Sequence, residues 1–185
     1  FASGIPASVG GALFMNAGAN GQETKDHLES VEFVTSSGEL IEYSRNELLF
    51  GYRYSSFQDF DGAIASATFS LVPSPESRAK QLKIIQYRQE TQPYGEKSAG
   101  CIFRNPDGGF AGKLIEECGL KGYTCGQASV STLHANFLIN NGSATSADFK
   151  QLIEHIRSEV KRQKNVSLES EVRMIPYKMA YAVPS

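Results

Sequence analysis

Apolar and polar residues alternate first between Val31 and Tyr43, where Val31-Glu32-Phe33-Val34 and Leu40-Ile41-Glu42-Tyr43 flank Ser36-Ser37-Gly38 and predict a β-hairpin. A short polar-led element follows from Ser44 to Phe50, and a strand rich in small residues from Ala63 to Leu71. Val72-Pro73-Ser74-Pro75 then breaks the pattern: Ser74 is a good N-cap and Pro75 a good first helical residue, which predicts a polar helix from Pro75 to Gln92, stopped by Pro93. Beyond it, Phe110, Ala111, Leu114, Ile115 and Cys118 share one helical face ended by Gly119, which makes Cys118 a core residue. Lys121 to Gly126 reads as a turn with an edge strand, and Ala135 to Asn140 as a strand preceded by a structural His134. Ser146 is read as the cap of a helix whose stripe is Phe149, Leu152, Ile153, Ile156 and Val160. Val166 to Ile175 alternates again, placing Val166, Leu168, Val172 and Met174 on one face of a predicted strand and Glu169, Glu171 and Arg173 on the other. The chain therefore divides into a first unit over 1–72, a linker helix over 73–93 and a second unit over 94–185.

Three stretches carry candidate chemistry. Ser3 to Gly21 holds five glycines and no charged residue. It has neither Rossmann nor Walker spacing, so it reads either as a turn before a buried element or as a cradle of backbone N–H groups, with Ser8 and Asn16 as side-chain partners, for a phosphate-bearing or flat aromatic cofactor. Arg53 lies between Tyr52 and Tyr54, either as a surface cation or as one held by aromatic faces to bind an oxyanion. Glu96 to Pro106 places Cys101 after the small residues Ser98-Ala99-Gly100 and before Ile102-Phe103, which anchor a strand. A thiol with a reference pKa of about 8.5 is mostly protonated at neutral pH, so Cys101 is suited to give a proton to a developing carbanion. Glu171, beside Val172, is the candidate acid of the last strand, where a solvated face is the alternative.

Composition narrows the classes. In 185 residues the net charge is −2 and no run of Lys or Arg exceeds two, so neither nucleic acid nor an anionic membrane surface is an expected partner. No apolar run approaches the roughly 20 residues of a membrane span. The three cysteines show no CxxC spacing and the three histidines are far apart, so no metal is expected and the compartment reads as a reducing, cytoplasmic one. The glycosylation-type triplets at Asn141 and Asn165 then have no role. Phe1 opens the chain without Met on a glycine-rich motif, as in a piece of a longer protein.

Taken together, Gly4-Ile5-Pro6-Ala7-Ser8-Val9-Gly10-Gly11-Ala12, Met15-Asn16-Ala17-Gly18, Gly51-Tyr52-Arg53-Tyr54-Ser55, Ala99 to Pro106, Gly112-Lys113-Leu114-Ile115, Gly119-Leu120-Lys121-Gly122 and Glu171-Val172-Arg173 resemble the UDP-N-acetylenolpyruvoylglucosamine reductase family of bacterial peptidoglycan precursor synthesis. The resemblance covers nearly the whole chain in order. It implies an α+β fold: the C-terminal part of a vanillyl-alcohol-oxidase-type FAD-binding domain, then a smaller α+β substrate-binding domain. It also implies that NADPH reduces FAD and that reduced flavin gives a hydride to the enolpyruvyl group of a UDP-sugar, UDP-N-acetylglucosamine enolpyruvate, forming UDP-N-acetylmuramate. On that resemblance Arg53 and Glu171 polarise the substrate carboxylate and stabilise the intermediate, and Cys101 protonates it. Ile5, Pro6, Ser8, Val9, Gly10, Gly11, Asn16, Ala17 and Gly18 fall on the cofactor-binding stretch, and Tyr52, Arg53, Asn105 and Lys121 on substrate-binding positions.

Many family members carry Ser where Cys101 stands, and the more acidic thiol preserves the proton-donor role. The family's preceding glycine-rich stretch, which grips the cofactor diphosphate, is not in this sequence. The short span from Tyr54-Ser55 to Leu71 resembles the subgroup without an additional tyrosine-bearing substrate loop. Two other readings fit parts of the pattern: a different flavin oxidoreductase of the same fold, which leaves the Cys101 and Glu171 motifs without a reason, and a nucleotide-sugar-binding fragment without turnover.

Overall fold

A computed structural model describes residues 1–175. The chain forms two compact units, Phe1–Tyr87 and a second beginning at Arg88, and combines helices with antiparallel strands in an α+β fold.

In the first unit, helix α1 (Val9–Phe14) starts at Ser8, whose Oγ accepts from the Gly11 amide at 3.1 Å. Strands β1 (Gly18–Ala19) and β2 (Gln22–Glu23) form a small hairpin. The expected larger hairpin is β3 (Leu28–Thr35) with β4 (Leu40–Ser44), in a register that pairs Val31 with Tyr43 and Val34 with Leu40. A further two-stranded hairpin, β5 (Phe50–Gly51) and β6 (Tyr54–Ser55), precedes β7 (Gly62–Phe69), which returns along the other side of β3 and gives the order β4-β3-β7. The period of two turns Val31 and Phe33 inward and Glu32 outward. Phe33 stacks on Phe57 with centroids 5.7 Å apart, and Tyr43 and Phe60 meet it edge-on, so the core of this unit is an aromatic cluster. Such pairs each add about 0.5–1.5 kcal/mol beyond area burial.

Helix α2 (Ser77–Thr91) begins two residues after the predicted Pro75, following a turn in which the Ser77 amide donates to the Ser74 carbonyl at 3.1 Å. The division between the units falls within this helix.

In the second unit, β8 (Ser98–Cys101), β9 (Thr124–Cys125), β10 (Ala128–Val130) and β11 (Phe137–Asn140) form an antiparallel sheet of order β8-β11-β10-β9. Strand β10 was not expected, because its three residues are too few to carry a period-2 signal. Helices α3 (Ala111–Glu117) and α4 (Ser146–Lys164) share one core with the sheet, in which Ile115, Val130, Leu138, Leu152, Ile156 and Val160 are at most 1 % exposed.

Several expectations are corrected here. Phe110 does not join the apolar face of α3; it is the helix N-cap and is 68 % exposed, because the helix starts one residue later. The cap of α4 is Thr145, not Ser146: the Thr145 hydroxyl accepts from the Asp148 amide and the Asp148 carboxylate accepts from the Thr145 amide, a reciprocal box that Ser146 is one residue late to make. The segment Val166 to Ile175 is not a strand. It makes one isolated bridge, Phe103 with Ser170, flanked by hydrogen bonds from Arg104 N to Glu169 O (2.9 Å) and from Glu171 N to Ile102 O (2.7 Å). Its apolar alternation holds at Leu168, which is buried, and at Val166 and Val172, which pack on the core, but Met174 and Ile175 follow a bend at Val172 and stay exposed.

Candidate functional site

In the second unit the predicted thiol and carboxylate are brought to adjacent backbones. Cys101 ends β8 opposite Phe137 and is exposed, whereas Cys118 and Cys125 are half-buried; none of the three forms a disulfide. The next two residues, Ile102 and Phe103, are 2 % and 1 % exposed and fix the chain direction in the core. Glu171 lies on the segment bonded to them through Glu171 N and Ile102 O. Before Cys101, Gly100 has φ +83 and its Cα faces open space, the unobstructed approach expected of this stretch. Asn105 Oδ1 accepts from the Ala111 amide at 3.0 Å and so closes the loop into α3. Lys121 pairs with Glu116 at 2.7 Å on the turn into β9, at the sheet edge opposite β8.

In the first unit Tyr52 and Arg53 are the two turn residues between β5 and β6. Arg53 has φ 54, a left-handed conformation unusual for a side chain of its size, and its guanidinium lies over the Tyr52 ring, 4.9 Å from the centroid. Tyr54 turns instead to Asp59, whose hydrogen bond pushes the phenol pKa up, so the aromatic face recorded under the cation is that of Tyr52. The turn is tied to the glycine-rich segment twice. Gln58 Nε2 donates to both Arg53 O (3.0 Å) and Phe14 O (2.9 Å), and Asn16 Nδ2 donates to Gly51 O (3.0 Å).

The predicted cofactor residues divide in two. Asn16 is fully buried, and its amide also donates to Glu23 and accepts from the Lys25 amide, so its side chain organises the fold rather than reaching a ligand. The Lys25 ammonium, 2.6 Å from Glu23, holds the Glu23 carboxyl below its usual range, and the Asn16 amide adds to this. Gly18 is required by the β1–β2 pairing, since a Cβ there would stand 2.8 Å from Gln22 O on the partner strand. Gly10 packs against Ile64, at 3.6 Å for an added Cβ, while Ala17 and Ile5 are half-buried. Pro6, Ser8, Val9 and Gly11 are exposed, and with no charged residue among 3–21 they leave an open backbone face. That face fits the approach of a large anionic cofactor.

A cleft of about 620 Å³ lies in the second unit, lined by Lys97, Ser98, Phe149, Lys150, Val172 and Arg173 among others, but by neither Cys101 nor Glu171. Among the described residues no three His, Cys, Asp or Glu side chains gather as for a metal, and no helix is long and apolar enough to cross a membrane.

Residues 92–175 match the family described as UDP-N-acetylenolpyruvoylglucosamine reductase, C-terminal domain, and residues 1–44 match an FAD binding domain. Proteins named UDP-N-acetylenolpyruvoylglucosamine reductase are 59 % identical in Protochlamydia amoebophila and 52 % identical in Chlamydia felis, over 96 % and 97 % of this chain. Over nearly its whole length the chain is similar to proteins of this reductase family. It spans 59 % and 60 % of the length of those two relatives. The crystal structure of the reductase from Thermus caldophilus superposes with a TM-score of 0.78 at 37 % identity, covering 94 % of this chain and 62 % of that one.

Within the reductase match, Cys101, Asn105, Lys121 and Glu171 all fall in the C-terminal family segment, and the glycine-rich stretch in the FAD segment; Arg53 lies between the two. Two residues bonded to the candidate segments are not among those the sequence singles out. Gln58 couples the Arg53 turn to α1, and nothing in its sequence neighbourhood signals that. Asn136 is 3 % exposed beside the Cys101 segment, and its signal was present: an amide inside an apolar strand must find partners when buried. Next to it, His134 Nδ1 accepts from the Asn136 amide at 3.2 Å, the structural role expected, and burial pulls the imidazole pKa below 6.5.

Proposed function

We propose that the protein to which this chain belongs reduces UDP-N-acetylglucosamine enolpyruvate to UDP-N-acetylmuramate, using NADPH and FAD, in the cytoplasm as a step of peptidoglycan precursor synthesis. The observation that carries the reading is the 2.7 Å hydrogen bond from Glu171 N to Ile102 O, because it sets the predicted proton donor and the predicted acid on neighbouring backbones of one unit.

FAD, when bound along Pro6, Ser8, Val9 and Gly11, supplies hydride-transfer chemistry. The chain's residues must then manage charge and a proton. Adding hydride to the enolpyruvyl double bond leaves an electron pair on the carbon next to the carboxylate. The Arg53 guanidinium stabilises the resulting enolate electrostatically. Glu171 assists if it donates a hydrogen bond, which requires its protonated form. The Cys101 S–H transfers its proton to that carbon, and because Cys101 is exposed its thiolate regains a proton from solvent. Tyr52, Asn105 and Lys121 supply polar contacts for the rest of the substrate, Lys121 as a point charge for a phosphate once released from Glu116.

The cytoplasmic setting is supported by three cysteines without a disulfide. The direct test is an assay of the full-length protein with FAD, following NADPH oxidation with and without UDP-N-acetylglucosamine enolpyruvate. Stoichiometric NADPH loss with formation of UDP-N-acetylmuramate is expected. NADPH oxidation indifferent to the enolpyruvyl sugar would instead favour another flavin oxidoreductase, and sugar binding without turnover a binding module.

A further inference from the structure

We infer that Asn136 is the positioning residue that holds Cys101 and Glu171 in a common frame. This rests on the roles of Cys101 and Glu171 proposed above.

Ile102 and Phe103, between the thiol and the start of the next loop, present four backbone polar groups. Asn136 meets three of them: its carbonyl accepts from Ile102 N at 2.9 Å, its Oδ1 accepts from Phe103 N at 3.0 Å, and its Nδ2 donates to Phe103 O at 2.8 Å. Glu171 N takes the fourth, Ile102 O, at 2.7 Å. The two-residue segment is thus gripped from one side by a single asparagine and from the other by the backbone of the candidate acid. The β8–β11 register is irregular between its Phe137 and Ile139 pairings, and beyond the Phe137–Cys101 pair the amide side chain replaces the missing peptide partner. Any apolar residue of similar size at 136 would leave Phe103 N and O buried without partners, and the segment would shift to recover them. Because Cys101 precedes Ile102 directly and Glu171 is bonded to Ile102, such a shift moves the thiol and the carboxylate relative to each other.

Asn136→Asp is the informative variant, since it keeps an acceptor for Phe103 N but sets an oxygen against Phe103 O until the carboxyl is protonated. In the full-length protein with FAD, NADPH-dependent flavin reduction is expected to stay near the unsubstituted rate. The step consuming the enolpyruvyl sugar should fall about 100-fold, in kcat rather than KM, as for a misplacement on the ångström scale. Its solvent deuterium isotope effect should rise as protonation becomes limiting, and activity should partly return as pH is lowered. An unchanged substrate step with an unchanged isotope effect overturns the inference, as does an equal fall of both steps in a protein with the unsubstituted melting temperature. Cys101→Ala, run in parallel, separates the two readings: if it too leaves the substrate step intact, the proposed function fails, whereas a blocked Cys101→Ala beside an unaffected Asn136→Asp removes only the role of Asn136. A second measurement needs no variant to fold. Amide hydrogen exchange of the unsubstituted protein should find Ile102, Phe103 and Glu171 protected as one slow group; free exchange at Phe103 or Glu171 overturns the clamp.

Discussion

Arg53 stands where a two-residue hairpin turn favours glycine or asparagine, at φ 54, and the left-handed conformation costs a side chain of this kind about 1–2 kcal/mol. Its contact with the Tyr52 ring returns about 0.5–1 kcal/mol at an exposed site. The residue is therefore held against a small net penalty, which is understandable if its guanidinium serves a reaction. Arg53→Gly in the full-length protein should leave thermal stability unchanged or raised by up to about 1.5 kcal/mol, by these two magnitudes. The substrate step should drop about 100-fold or more, the scale on which one oxyanion-stabilising donor acts. Thermal unfolding beside steady-state kinetics checks both. A clear loss of stability with full activity would mean that Arg53 is kept for the fold. Asn16 shares the left-handed backbone, at φ 43, but for a different reason: its amide joins β2, the residue-25 turn and β5.

At the scale of elements, α4 shows what pattern can and cannot carry. The stripe of Leu152, Ile153, Ile156 and Val160 is legible because it keeps to one face of a nineteen-residue helix and buries against the sheet. Its cap is not, because Thr145 and Ser146 are chemically alike and only the reciprocal contact with Asp148 selects between them. Thr145→Ala should cost about 1 kcal/mol in urea unfolding while Ser146→Ala stays within a few tenths; the reverse order would contradict the box. The hairpin β3–β4 was equally legible, as its alternation and its Ser-Ser-Gly turn agree. The last segment was not, since alternation predicts a strand only where a neighbour supplies a ladder, and here one bridge to Phe103 suffices to hold Leu168 and Glu171. The candidate site follows the same division: Arg53, Cys101 and Glu171 were named from motifs, whereas Asn136 and Gln58 act through hydrogen bonds across 33 and 44 positions of sequence that no local pattern encodes.

For the whole molecule, the candidate residues are divided between the units. The first carries the open glycine-rich face and Arg53, joined through Asn16 and Gln58; the second carries Cys101 and Glu171, joined through Ile102. The match to an FAD binding domain over 1–44 and to the reductase C-terminal domain over 92–175 follows the same division. The proposed reaction separates into two half-reactions, a cofactor step that needs no thiol and a substrate step that ends on one. The measurement that tests this most directly is single-turnover kinetics of Cys101→Ala in the full-length protein, recorded as the flavin absorbance lost with NADPH and regained with UDP-N-acetylglucosamine enolpyruvate. Loss with NADPH is expected to proceed at nearly the unsubstituted rate, regain with the enolpyruvyl sugar to be abolished, and Cys101→Ser to restore much of it. Regain at the unsubstituted rate in Cys101→Ala would contradict the assignment of Cys101 as proton donor.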